Sequence, residues 1–543
     1  MSLKKLLLLG FLQGMFFAFT LETEAQGDST SRGFFQQAIA PAKLLAARHE
    51  FNEHNMRGAL TLYRELLESD PSNAAALYGT AQCHYNLKKY NLALEYLDKA
   101  TAIDPRVSSE VDYFYGQIYH RLARLEDAIR YFKLYSESKS KLSEDYQIAQ
   151  EFIRQCEFAR EMMQNPVKVS IKNMGDEINT RFDEYTPSIT ADGKMLVFTS
   201  RRSDTQGGEI DLSGDYKFFE DVYYSMYNPT TNTWTQSKGI PGNVNTDTYD
   251  AVLSISPNGK EMFIYKNTVN TAGDIFISKF IPDLDEWGAP TKMPRPINTS
   301  YYEGSISMTA DGNTVYFISE REGGVGRGDI YVSEKKGEDD WSSPKNLGKL
   351  INTELDEKFV FIHPNGKTLY FSSEGHQTMG SYDIFKTELI NGSWSLPVNL
   401  GYPINTVNEE STFSMTKDNK TLLVAAEYSD SFGERDIYTI DVSQYPLVAE
   451  TGSMASFGQV VCTVTDAAGQ PVKSAAIKVT GTSSGKVVTE MKTDKLGMAR
   501  VNLPGNLHYT VEASKGNMRA SAEIELQLRT GKDTVQKVNL SLK

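Results

Sequence analysis

Two stretches of this chain hold residue types that could do chemistry unaided. His49-Glu50 with His54 offers imidazoles for zinc, but a zinc-binding helix needs its histidines at i and i+4 to converge on one metal. At i and i+5 they point about 140° apart. Gly481-Thr482-Ser483-Ser484-Gly485 has the spacing of a hydrolase nucleophile elbow. An elbow must join a strand to a following helix, whereas this stretch separates two strand-like runs and reads as a hairpin turn. Gly323 to Gly328 is glycine-rich but lacks the spacing, the following helix and the Lys-Ser/Thr pair of a phosphate-binding loop. The remaining histidines, His84, His120, His363, His376 and His508, are scattered along the chain. No catalytic, cofactor or metal site is expected.

The acidic residues are more regular. Glu184, Asp250, Glu303, Glu357 and Glu410 each lie eight residues before the Asp or Asn of a turn (Asp192, Asn258, Asp311, Asn365, Asp418), and an Asn lies thirteen before it: Asn179, Asn245, Asn298, Asn352, Asn405. Five copies in fixed register define a repeat array. Each copy reads as four antiparallel strands: Ser305 to Met308, a turn at Asp311-Gly312, Val315 to Ile318, a glycine-rich bend, Asp329 to Val332, and a segment with Trp341. Such sheets bury both faces by stacking radially, so residues 166–443 are expected to form an all-β propeller of five blades, with six as the alternative. Val167 to Thr180 matches the end of a unit and is expected to complete the last blade. In a closed ring the five acids would either gather at the channel mouth, attracting a cation or basic peptide, or bond the N–H groups of their own loops; the second is the simpler reading. Asp221, Asp274, Asp329, Asp383 and Asp436, which open the third strands, read as loop caps, and Trp234, Trp287, Trp341 and Trp394 as blade packing. The first blade spends 29 residues between Asp192 and Asp221 against 16 to 18 elsewhere, either a contact surface or tolerated slack.

Residues 34–165 are helical by pattern. Ala59, Ala93 and Ala128 recur at 34 and 35 residues, with Tyr63, Leu97 and Phe132 four later, and Asp70-Pro71 and Asp104-Pro105 end the first two units. This resembles the tetratricopeptide repeat, an α-solenoid of paired helices whose concave face holds peptides. On that register the first helices of the pairs run near Lys43–Asn52, Leu77–Asn86 and Asp112–Arg121, and Asn52, Asn86 and Arg121 are the candidate protein-binding residues. Residues 444–457 read as a linker. Residues 458–543 alternate as strands around turns at Asp466 to Pro471 and Asp494 to Gly497, and resemble the carboxypeptidase regulatory-like domain, which implies a seven-strand Ig-like β-sandwich.

The chain has 543 residues and a formal net charge of -14, so phosphate backbones are repelled and no nucleic-acid partner is expected. Lys4-Lys5, the apolar run Leu6 to Leu21 and polar Glu22 to Gln26 read as a signal peptide over 1–25. The apolar run falls short of the roughly 20 residues a span needs, and no later stretch could cross a membrane. Export to the periplasm, at the outer membrane or the cell surface, is therefore expected. The three cysteines, Cys83, Cys156 and Cys462, give no disulfide framework and read as buried thiols.

Taken together, the leader, the tetratricopeptide pattern, the Asp-Gly propeller and the sandwich resemble envelope proteins of Bacteroidota that carry TolB/PD40-type, WD40-like propeller repeats. The likeness extends to the type IX secretion accessory family built from these domains plus an OmpA-like domain. The resemblance implies a scaffold whose partners are envelope or outer-membrane proteins. The OmpA-like domain has no counterpart before Lys543, so peptidoglycan binding is not expected. A glycan-binding envelope module and a propeller-containing hydrolase are the alternatives.

Overall fold

The repeats of the sequence become separate structural modules. The computed structural model describes residues 29–212, 215–266, 273–337, 340–390, 392–445, 447, 457–482, 487–504, 508–526 and 535–543, with side chains from Ala40 onward except at Phe457, Asn502 and Pro504. The expected leader 1–25, the serines of the 481–485 turn and most of the 444–457 linker lie outside the described residues. By compactness the chain divides into 1–118 with 214–216, and 119–213 with 217–543. That division falls inside the expected helical domain, so the last helices are grouped with the propeller.

Seven helices come first among the described residues: α1 (Ser29–Asn52), α2 (Met56–Ser69), α3 (Ala74–Asn86), α4 (Tyr90–Ile103), α5 (Val111–Arg121), α6 (Leu125–Glu137) and α7 (Glu144–Gln164). Their starts follow from capping. Asn55 accepts the Gly58 N–H at 2.9 Å, Asn73 that of Ala76 at 3.0 Å and Ser143 that of Tyr146 at 3.3 Å, satisfying donors a helix leaves open. Ala59, Ala93 and Ala128 are fully buried where helices approach, and Tyr63, Leu97 and Phe132 fill the space beside them. Burying each of these large side chains stabilises its repeat by roughly 2–3 kcal/mol.

Five antiparallel sheets follow. In the third, Glu303–Met308 pairs with Thr314–Ser319, that strand with Asp329–Glu334, and the last with Lys345–Asn346. The ring closes as the repeat phase predicts: Ser170–Asn173 adds to Asp436–Asp441, with Ser170 opposite Asp441 and Asn173 opposite Tyr438. The five-blade reading therefore holds among the described residues. Each inner strand also hooks the blade before it. The amides of Glu184, Asp250, Glu303, Glu357 and Glu410 donate to the carbonyls of Arg435, Glu220, Gly273, Gly328 and Tyr382 at 2.8–3.1 Å. Each tryptophan packs against the preceding blade. Trp287 lies with Val197 and Val222, Trp341 with Leu253 and Phe263, Trp394 beside Tyr316, and Trp234 beside Leu423 and Ile437 of the fifth.

The C-terminal domain is a sandwich of two sheets. One has the order Met498–Pro504, Phe457–Thr465, Val535–Ser541, the last pair parallel; the other has the order Val487–Lys492, Ala476–Gly481, His508–Lys515, Met518–Glu525. Alternate residues Val460, Cys462, Val464, Ile477, Val479, Val511 and Tyr509 meet in the core between them.

Candidate functional site

The residues of the repeat signature stitch blades together. Asn298 Oδ1 accepts the Ile275 N–H at 2.9 Å while its Nδ2 donates to the Ile275 carbonyl at 2.7 Å. Asn179, Asn245, Asn352 and Asn405 hold Ile437, Val222, Ile330 and Ile384 in the same two-bond clamp. Five residues on, each acid closes the loop. Glu184 accepts the Thr180 N–H at 2.8 Å and the Thr180 hydroxyl at 2.7 Å, and Thr246, Thr299, Thr353 and Thr406 donate likewise to Asp250, Glu303, Glu357 and Glu410. All five acids are at most 1% exposed, so their oxygens face loop donors and not a solvent-filled channel.

Blades differ in how they balance that buried charge. Arg202 Nε lies 3.2 Å from Glu184, Arg321 Nη2 lies 3.4 Å from Glu303, and Lys266 pairs with Asp250. The residues in register with Arg202 and Arg321 are Gly375 in the fourth blade and Tyr428 in the fifth. Without a cation there, burial pushes the Glu357 carboxyl up to about 7 and that of Glu410 up to about 8. Asp383, itself pushed up to about 7 by burial, adds its charge to the field at Glu410.

Asp383 shapes a further contact. It accepts the Met379 N–H at 2.8 Å and Asn399 Nδ2 at 2.6 Å, which holds the loop 374–382 of the fourth blade. Met379 O then meets His120 Nε2 at 2.8 Å, Gln155 Nε2 donates to Thr378 Oγ1 at 3.1 Å, and Arg121 Nη1 donates to Val407 O at 2.5 Å. Burial pushes the His120 imidazole down to about 3, with Arg121 adding to the effect, so the ring is neutral and donates from Nε2. The end of α5 and helix α7 are thus bonded to the propeller. In the same loop Gly380 has a positional reason: a Cβ there would lie 2.2 Å from Asn408 O of the next blade, as one at Gly326 would from Thr353 O.

The three candidate binding residues separate. Asn52 and Asn86 are exposed at the ends of α1 and α3, and Asn86 donates to Gln82 O at 2.9 Å. Arg121, at the end of α5, donates to Val407 O and lies at the helix–blade seam. Sequence reasoning missed a cleft of about 400 Å³ between α2, α3 and α4, lined by Leu60, Arg64, Leu67, Thr80, His84 and Tyr96. His84 stacks on Tyr96 with centroids 5.3 Å apart, and its Nδ1 is buried without a hydrogen-bond partner. Burial and Lys89 hold His84 below its ordinary pKa, so the ring beside the cleft is neutral. His49 is exposed on α1 and His54 lies past its end. No group of His, Cys, Asp and Glu that could hold a metal occurs among the described residues. Cys83, Cys156 and Cys462 are free and buried, their thiols pushed up to about 12, 12 and 11 by burial.

Two family models match parts of the chain: the tetratricopeptide repeat over residues 44–108 and the carboxypeptidase regulatory-like domain over 459–542. No curated protein matches. Among solved structures, the chain is similar to TolB from Acinetobacter baumannii at 14% identity, covering 56% of this chain and 72% of that one, with TM-score 0.30. It is also similar to YrrB, described as a TPR protein with an unusual peptide-binding site, at 24% identity over 24% of this chain and 66% of that one, with TM-score 0.21. A third likeness is to pilF of Pseudomonas aeruginosa, at 23% identity over 23% and 55%, with TM-score 0.21. In fold, the tetratricopeptide-like helices are followed by a β-propeller and an Ig-like sandwich. No helix among the described residues is long and apolar enough to cross a membrane.

Proposed function

We propose that this chain is a non-catalytic scaffold of the bacterial cell envelope, exported by its leader, that holds a protein partner on its first two helical repeats. The observation that carries the reading is the cleft of about 400 Å³ between α2, α3 and α4, where leucines sit beside a neutral His84 ring whose buried Nδ1 has no hydrogen-bond partner. A partner segment that inserts an apolar side chain and forms one hydrogen bond would fill it, with Asn52 and Asn86 as polar contacts outside. The sequence resemblance favours outer-membrane or type IX secretion proteins as partners, and the leader pattern at 1–25 supports export to the periplasm, at the outer membrane or the cell surface, with a mature start near Gln26. The non-catalytic reading draws on the solenoid and sandwich families and on buried acids that are spent on loop geometry. The test is co-purification of the tagged full chain from the native envelope. The principal partner should be lost in the Asn52→Ala/His84→Ala/Asn86→Ala variant while the melting temperature holds. Retention of that partner by the variant would contradict the assignment.

A further inference from the structure

We propose that the outer face of the four-stranded sheet in the C-terminal sandwich is a binding groove for an extended, acidic polypeptide segment. The proposal goes beyond the role of the helical repeats and does not rest on it. A groove of about 850 Å³ lies over this face. Its floor follows from strand register, because Ala476 lies opposite both Lys492 and Ser514, and Ser514 opposite Arg519. One row across the sheet therefore reads Lys492, Ala476, Ser514, Arg519: two cations on the edge strands, separated by side chains too short to fill the space between them. Lys349, from the turn after Lys345–Asn346 in the third blade, lines the same groove. Lys349, Lys492 and Arg519 form no ion pair among the described residues.

An anionic ligand satisfies these three cations, and the remaining lining selects its kind. The next row reads Glu490, Lys478, Glu512, Ser521, in which Lys478 adds a cation between two carboxylates, and the carboxylates and the Ser521 hydroxyl can accept from a peptide's N–H groups. The groove's lining contains no aromatic ring for a sugar to stack on, which favours a peptide over an acidic glycan. Three inter-strand spacings put the edge strands about 14 Å apart, the reach of about four extended residues at 3.3 Å each. Side chains at i and i+4 of a strand share a face, so acidic residues four apart match Lys492 and Arg519. Elsewhere the chain repels such a segment, since its formal net charge is -14, so capture depends on this local cation set.

Fluorescein-labelled hexaglutamate, followed by anisotropy against the full chain, is the probe, with polygalacturonate as the glycan arm. The expected result is saturable, salt-sensitive binding of hexaglutamate, weakened about tenfold or more in Lys492→Ala/Arg519→Ala with an unchanged melting temperature. Lys349→Ala, on a propeller turn outside the sandwich core, should weaken it as well and answers the question if the double variant unfolds. Failure of hexaglutamate to bind, affinity unchanged in these variants, or binding of polygalacturonate in its place would each overturn the proposal.

Discussion

At the scale of single residues, the five signature acids do the same structural job under different electrostatic conditions. Glu184 has Arg202 beside it, while Glu410 has a neighbouring Asp383 in the fourth blade and no counter-cation. A buried carboxyl whose folded pKa is raised contributes stability that is complete below its unfolded value, about 4.3, and is lost as pH climbs through its folded value. For Glu410 that window closes at about 8. The melting temperature of the native chain should therefore fall between about pH 5 and pH 8, and Glu410→Gln, which stays neutral, should flatten the fall and melt higher than the native chain at pH 8. Burial raises the Glu184 carboxyl as well, against the opposing pull of Arg202, but Glu184→Gln should melt lower than the native chain throughout that range, by about 1–3 kcal/mol, because it leaves the buried Arg202 without its counter-charge. A Glu184→Gln variant that melts higher than the native chain, as Glu410→Gln should, would contradict this account. The signature was legible in the sequence because Asn, Thr and acid recur at fixed offsets. What each acid faces was not, because the cations come from the end of the second strand and vary from blade to blade.

At the scale of elements, closure of the ring is the testable feature. Ser170–Asn173 supplies the outer strand of the last blade, and Val169 and Ile171 pack against the cluster that includes Phe413, Leu422 and Ile440. Val169→Asp/Ile171→Asp should cost about 2 kcal/mol or more by forcing charge against that cluster. It should also leave the edge of Asp436–Asp441 open to pairing with other chains. A lower melting temperature with concentration-dependent aggregation is the expected outcome, and native-like melting would show that the ring does not depend on this strand. Closure was readable because the first and last units are complementary fragments of one repeat. The helix–blade seam was not. It depends on the fourth-blade loop 374–382 presenting Met379 O to His120, and in sequence that loop differs from its third- and fifth-blade counterparts, which have the same length, only in residue choice. The cleft at His84 was hidden for a related reason: it is assembled from α2, α3 and α4, and its lining shares no sequence spacing. The sandwich groove was hidden because Ala476–Gly481 pairs with His508–Lys515 past two intervening strands, so the row from Lys492 to Arg519 exists only once that register is set.

At the scale of the whole molecule, the chain joins an α-solenoid, a closed propeller and a sandwich, and its account as a scaffold turns on where a partner is held. The propeller's recurring acids are buried in its own seams, so the repeat that dominates the sequence maintains architecture. The open features lie elsewhere, in the cleft between the first repeats and on the sandwich face. The most direct measurement is site-specific photo-crosslinking of the full chain in the native envelope, with a photoreactive amino acid placed at Tyr96 in the cleft or at Tyr301, an exposed propeller position. The account predicts one dominant protein adduct from Tyr96 that weakens when His84 is replaced by Ala, and none of that adduct from Tyr301. The same partner crosslinked at Tyr301 and absent at Tyr96 would contradict it and make the propeller the binding module.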